Sequence, residues 1–328
     1  MIPLSILDLA PVAAGSSVVD SFAASKALAQ DADSLGYHRY WLAEHHNMPG
    51  IASAATSLLI SHLAAATSRI RLGAGGIMLP NHSPLVIAEQ FGTLATLYPD
   101  RIDLGLGRAP GSDQATARAL RRHKVENEAQ FPADIAELQQ YFAEARPNQS
   151  VQAVPGQGLK VPLWILGSSL YGAQLAAQLG LPYAFASHFA PGMMQQAAEL
   201  YRREFKPSAQ LDKPYLMLAL NVFAADTATE AKRLFSSLQQ QFVNLTRGTP
   251  GLLPAPVDSI DSIWQPHEKA YVESALACSV VGDAASVQQD IQDFIAKHNP
   301  DELMLTSMMH DPAARQHSYR IAAELISR

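Results

Sequence analysis

The chain has 328 residues, of which 48% are hydrophobic and 16% charged, with a formal net charge of −6. That composition supports a large core, and its dispersed lysines and arginines present no footprint for a polyanion, which argues against a nucleic-acid partner. No apolar run reaches the roughly 18 residues of a membrane span, and the first residues lack the basic flank of an export signal, so a cytoplasmic protein with no membrane partner is expected. The single cysteine, Cys278, excludes an internal disulfide; with no His or Cys beside it, it suggests a core residue and no metal site.

Short apolar segments of extended character alternate with longer ones of helical period, the pattern of parallel strands joined by crossover helices. In chain order, strand 2–7 leads to a helix over 18–35, strand 39–42 to 52–66, strand 70–75 to 84–97, and strand 102–106 to 126–144. Strand 162–166 precedes 171–179, 183–187 precedes 191–205, 215–223 precedes 227–245, and 302–306 precedes 312–327. About eight βα units close a barrel, so the expected fold is α/β, a (β/α)8 TIM barrel forming a single domain over 1–328. Such a barrel needs ~250 residues; the surplus is assigned to Pro- and Gly-rich loop insertions at 111–124, 147–161 and 249–271. An open doubly wound sheet would carry a Gly fingerprint after its first strand, but the chain reads Asp8-Leu9-Ala10-Pro11-Val12 there.

In a parallel barrel the chemistry sits where each strand ends. After the second strand stands Trp41-Leu42-Ala43-Glu44-His45-His46-Asn47. A histidine there can serve as acid, base or hydrogen-bond donor near neutral pH, with Glu44 able to set its tautomer or raise its pKa; the competing explanation is a polar surface turn. Two adjacent histidines on an extended chain point to opposite sides and are poorly placed to chelate one metal. The third strand ends in Gly73-Ala74-Gly75-Gly76-Ile77-Met78-Leu79-Pro80, where absent side chains let a planar ligand lie against the backbone, or simply allow a tight turn. Asn81-His82-Ser83-Pro84 then starts a helix, with Ser83 as N-cap.

The fourth strand runs into Gly105-Leu106-Gly107-Arg108-Ala109-Pro110-Gly111, only loosely a dinucleotide fingerprint. Arg108, a guanidinium at a strand's carboxyl end, suits bidentate binding of a phosphate, with a surface ion pair as the alternative. The fifth strand leads to Gly167-Ser168-Ser169-Leu170-Tyr171-Gly172 and a helix whose N-terminus offers N–H groups to an anion, or merely needs capping. Arg108 with Ser168 and Ser169 implies one phosphate site.

Taken together, Trp41-Leu42-Ala43-Glu44-His45-His46, Gly73 to Pro80, Gly105-Leu106-Gly107-Arg108 and Gly180-Leu181-Pro182 resemble the bacterial luciferase-like flavin-dependent oxidoreductases. Glu302-Leu303-Met304-Leu305-Thr306-Ser307 with Asp311, Ala314, Arg315 and Ser318-Tyr319 looks like an uncharacterised bacterial subgroup rather than the light-emitting subunits. By that resemblance His45 matches the histidine that assists flavin chemistry, with Glu44 beside it. Arg108, Ser168 and Ser169 match positions that hold the FMN phosphate, and Gly75 and Gly76 match a non-proline cis peptide against the flavin ring. Gly107 stands where the luciferase has a cysteine, and Gly172 where it has a hydroxyl residue near the phosphate.

The resemblance implies a monooxygenase in which FMN, reduced by a separate flavin reductase, and O2 oxidise a small organic substrate, in a homo-oligomeric protein. Hydride transfer with the deazaflavin F420 is the alternative enzymatic expectation, and a flavin-binding protein without turnover is the non-enzymatic one. Whether His188, Phe189, Met193 or Met194 lines the substrate pocket is left open.

Overall fold

The computed structural model describes residues 2–108, 114–120 and 130–325. Half of the insertion expected at 111–124, residues 111–113 and 121–124, lies outside the described residues and the other half is helical rather than loop, while the start of the helix expected over 126–144 and the last residues of that over 312–327 also lie outside them.

Nine strands and eleven α-helices follow in order among the described residues: β1 (Leu4–Asp8), α1 (Val18–Leu35), β2 (Arg39–Leu42), α2 (Thr56–Ala64), β3 (Arg71–Met78), α3 (Pro84–Leu97), β4 (Ile102–Gly107), α4 (Gln114–Leu120), α5 (Phe131–Phe142), β5 (Leu163–Gly167) and α6 (Leu170–Leu179). Then come β6 (Tyr183–Phe185), α7 (Met194–Glu204), β7 (Leu216–Ala224), α8 (Ala228–Thr246), α9 (Pro266–Ala275), β8 (Ser279–Gly282), α10 (Ala284–His298), β9 (Glu302–Thr306) and α11 (Pro312–Ala323).

Helix ends follow local chemistry. Ser17 and Asp20 form a reciprocal capping box at the start of α1, which stops at Gly36 with φ of 85°, a left-handed conformation that favours glycine. Thr227 and Asp283 cap α8 and α10 through their side-chain oxygens. Ser83 occupies the N-cap position of α3 as expected, but its hydroxyl makes no capping bond.

All pairings between these strands are parallel, and β6 closes onto β7 through Tyr183–Leu216, Ala184–Met217 and Phe185–Leu218. Around the ring the order is β1, β2, β3, β4, β5, β6, β7, β9, an eight-stranded closed TIM barrel. The ninth strand, β8, pairs only with the outer end of β7, from Asn221–Ser279 to Ala224–Gly282. Neither β8 nor α10 was expected from the sequence, and the segment expected as an insertion over 249–271 already contains the start of α9. The insertion expected at 147–161 holds turns but no helix or strand.

One buried apolar cluster fills the space between barrel and helices, while a smaller one, including Leu7, Trp41, Trp164, Met217 and Met304, fills the barrel interior. The barrel floor is ionic. Arg39, first in β2, donates from Nε to Glu302 at 2.9 and 3.1 Å and from Nη1 to Asp103 at 2.8 Å; Arg71 reaches Asp103 at 2.6 Å. Tyr215 donates to Glu302 at 2.8 Å, Ser5 also donates to it, and Trp41 Nε1 donates to Asp103 at 3.2 Å. Two cations and two carboxylates neutralise one another at the amino ends of the strands, at the end of the barrel away from the mouth formed by the carboxyl ends.

Candidate active site

Within that mouth lies a cavity of about 240 Å³, to which every barrel strand contributes. On the β3 side its wall is bare backbone at Gly75 and Gly76, with Met78 beyond them. The β3–β4 register slips there, Ala74 facing Leu104 but Ile77 facing Leu106, so β3 carries one residue more than its partner across Gly75 and Gly76. The peptide joining these two glycines is cis. A Cβ on Gly76 would come within 2.6 Å of the Gly105 carbonyl oxygen, so a residue with a side chain would force the two strands apart.

The end of β2 supports this wall. Glu44 N donates to the Gly76 carbonyl at 3.2 Å. The Glu44 carboxylate is buried and accepts from Met78 N at 3.0 Å, from His46 Nε2 at 2.7 Å, and from His82 Nε2 at 2.9 and 3.0 Å. Burial alone would raise the Glu44 pKa, but the hydrogen bonds from His82, His46 and the Met78 amide outweigh it and hold the carboxyl below its ordinary range.

His45 points the other way, into the cavity, while His46 turns to Glu44. The expected coupling of Glu44 to His45 is carried by charge, since the carboxylate's hydrogen bonds go to His46, His82 and Met78. Burial pushes the His45 pKa down, with the Ala43 backbone and the Glu44 charge opposing it more weakly. Its Nδ1 is shut off from solvent and has no hydrogen-bond partner.

Next to the glycine wall, the ends of β4 and β5 and the start of α6 bring together Arg108, Ser168, Ser169 and Gly172. The Arg108 guanidinium lies 4.4 Å from the Tyr171 ring centre, a cation–π contact that fixes its plane beside the N-terminus of α6. Ser169 is the N-cap of α6, yet its side chain makes no capping bond, so its hydroxyl is not committed to the helix. Gly172 packs close to Tyr183, whose ring would lie 3.3 Å from an added Cβ. Gly107 also lines the cavity.

His188 and Phe189, three and four residues beyond β6, line the cavity as well; Met193 and Met194 do not. Burial pushes the His188 pKa down to about 3, with His45 contributing in the same direction, and its Nδ1 too lacks a partner. Among the described residues no group of three or more His, Cys, Asp or Glu side chains is arranged to hold a metal ion, and no helix is long and apolar enough to cross a membrane.

This site combines a neutral histidine, a glycine wall and, beside it, a cationic helix end at the carboxyl face of a parallel barrel. The profile of the luciferase-like monooxygenase family matches residues 3–297, and the chain belongs to that family of enzymes. It is 57% identical over 324 residues to a protein of Escherichia coli (strain K12) named luciferase-like monooxygenase, covering 99% of this chain and 97% of that one. Among solved structures it is similar to apo-MsnO8, at 33% identity and a TM-score of 0.88, covering 100% of this chain and 99% of the other. The fold is shared at greater distance by the oxygenating constituent of 3,6-diketocamphane monooxygenase of Pseudomonas putida, solved with FMN (17% identity, TM-score 0.73, covering 98% and 97%). It is shared also by an F420-dependent secondary alcohol dehydrogenase (13% identity, TM-score 0.69, covering 97% of each chain).

Proposed function

We propose that this enzyme is a monooxygenase that uses FMN, reduced by a separate reductase, and O2 to oxidise a small organic substrate. The observation that carries this is the meeting, in one cavity, of the Gly75–Gly76 wall, the anion-binding end at Arg108 and α6, and a neutral His45. The residues fit FMN: the glycines leave a flat face for its ring, and the uncommitted Ser169 hydroxyl, Ser168, Arg108 and the α6 N-terminus suit its phosphate. When bound, reduced FMN supplies the electrons that activate O2 for transfer of one oxygen atom. His45 holds or returns a proton at its imidazole, which burial keeps neutral and therefore able to act as a base. Glu44, bonded to His46, His82 and Met78, keeps the glycine wall in place. The apolar interior around Trp41, Met217 and Met304 excludes water.

The phosphate assignment is tested by comparing FMN with riboflavin. The wild-type protein is expected to bind FMN more tightly, and Arg108→Ala to weaken FMN by about 1–3 kcal/mol, as for a hydrogen bond to a charged group, while leaving riboflavin affinity unchanged. Equal losses for both ligands would remove Arg108 from the phosphate site.

A further inference from the structure

The barrel interior holds two of the chain's three tryptophans, and they stand in file. Trp41 lines the cavity and lies against the glycine wall: a Cβ on Gly75 would come within 3.0 Å of its ring at Cε3. Its ring meets that of Trp164 edge-on, with centroids 5.1 Å apart, and Trp164 meets Tyr215 in the same way at 5.6 Å. Tyr215 stands just before β7, at the amino end of the barrel, and is only partly buried. Three rings in contact therefore run from the cavity toward the opposite end of the barrel. The third tryptophan, Trp264, lies outside this file, in the apolar cluster with Phe223 and Met308.

Edge-on packing of aromatic rings is common in a core. What sets this file apart is its polar partners. Trp41 Nε1 donates to Asp103 Oδ2 at 3.2 Å, through a gap that Gly73 leaves open, since a Cβ there would come within 2.7 Å of that nitrogen. The Tyr215 hydroxyl donates to Glu302 Oε2 at 2.8 Å. Each end of the file thus has a carboxylate on the proton that an oxidised ring must share or release. The Arg39 guanidinium lies 4.8 Å from the Trp164 ring centre, and its charge, which would resist a positive indole, is offset by its ion pairs with Asp103 and Glu302. Burial, and then the Glu302 charge, push the Tyr215 pKa up, so the phenol keeps its proton until the ring is oxidised.

We propose that Trp41, Trp164 and Tyr215 form an electron-donor chain through which a one-electron oxidant in the cavity draws an electron from the amino end of the barrel. Indole and phenol are the aromatic side chains that lose an electron most readily, and an electron crosses between rings in contact without needing an open surface. Trp41 gives one electron to the oxidant and regains it from Trp164, which regains it from Tyr215. The phenolic proton moves along its hydrogen bond to Glu302, leaving a neutral tyrosyl radical and a protonated carboxyl. The oxidant is reduced by one electron, and both indoles end as they began. One electron from a thiolate or ascorbate in solution, with the proton returned by Glu302, restores Tyr215 at its partly exposed end. This activity is separate from oxygen transfer: it discharges oxidising equivalents left in the cavity. Oxidised FMN excited by blue light is such an oxidant, and for that oxidant alone the proposal rests on the FMN assignment.

The test has two arms, both read by time-resolved absorption and electron paramagnetic resonance. In the first, flavin-free protein in the Trp264→Phe background is oxidised by azide radicals, which take one electron from indole. In the second, protein loaded with oxidised FMN is excited by a blue laser flash. Each arm is expected to show an indolyl radical that decays as a tyrosyl radical grows. That delayed tyrosyl growth should be lost in Tyr215→Phe and in Trp164→Phe, each of which keeps a ring for packing, and the indolyl radical should outlive that of the wild type in both. Calorimetric melting of each variant verifies its fold. An azide arm with no delayed tyrosyl growth, or with growth that survives in Tyr215→Phe, would overturn the proposal, as would bound FMN whose excitation yields no tyrosyl radical. If FMN fails to bind while the azide arm yields the Tyr215 radical, the cofactor assignment falls and the donor chain stands.

Discussion

Replacing Glu44 with Gln isolates the clamp between β2 and the glycine wall. Both carboxylate oxygens accept: Oε1 from His46 at 2.7 Å and His82 at 2.9 Å, Oε2 from Met78 N at 3.0 Å and His82 at 3.0 Å. An amide has a single acceptor oxygen. The Met78 N–H cannot reverse its role, so that oxygen must stay opposite it and the NH2 group must face the two histidines, which can accept only by changing tautomer. The variant loses the charge-assisted bonds of the carboxylate, about 1.5–3 kcal/mol. At ~2.1 cal/mol/K per residue for 328 residues, the melting entropy is ~0.7 kcal/mol/K. The expected fall in Tm is therefore about 2–4 °C, readable by calorimetry, and His82→Gln in the Glu44→Gln background should add less than it does in the wild type. FMN affinity should fall as well, because the wall at Gly76 is held by the same residue. A Tm within 1 °C of the wild type together with additive losses in the double variant would refute the clamp.

Glu302→Gln should cost about 3–5 kcal/mol, the usual result of breaking a buried pair, by leaving Arg39 partly uncompensated; urea unfolding measures it, and FMN affinity should stay within about twofold because the floor lies below the cavity. A loss under 1 kcal/mol would show that the ionic floor is dispensable. The His188 pKa gives a pH signature. Its folded value of about 3 lies below the ordinary imidazole value of 6.5, so the unfolded chain binds the extra proton: stability is full above pH 6.5 and is lost as pH falls toward 3. The slope from this residue is at most about 1.4 kcal/mol per pH unit. Between pH 7 and 5 the stability of wild type should drop relative to His188→Phe by up to about 2 kcal/mol, and parallel pH profiles would contradict a neutral His188.

The closed barrel was legible because about eight short apolar segments alternate with segments of helical period, and each of Glu44, His45, Gly75, Gly76, Arg108, Ser168, Ser169 and Gly172 stands at or just beyond the end of such a strand segment. The extra strand β8 was not legible. It is four residues long, follows Leu276-Ala277-Cys278, and pairs only with the outer end of β7, so it gives neither length nor alternation as a signal. The partners of Glu44 were missed for a different reason. His82 is 38 positions away and was read as part of a helix start, and only the adjacency of β2 and β3 brings it to the carboxylate. The ionic floor did leave a trace. Arg39, Arg71, Asp103 and Glu302 each stand at the first or second position of an apolar strand segment, a recurrence that a register-aware comparison of the segments would reveal. His188 lies three residues past β6 in a segment without periodicity, and its place in the cavity depends on Asn221 and Ser279, which are far from it in sequence.

The central claim is that the glycine wall, His45 and the Arg108 end together form a site for reduced FMN that reacts with O2. Titration of the purified protein with reduced FMN and with F420, followed by rapid mixing of the reduced complex with O2, tests it most directly. Tight binding of reduced FMN, with reoxidation kinetics that differ from those of free reduced FMN and change in His45→Ala, is the result expected. Selective binding of F420, or binding of neither, would contradict it.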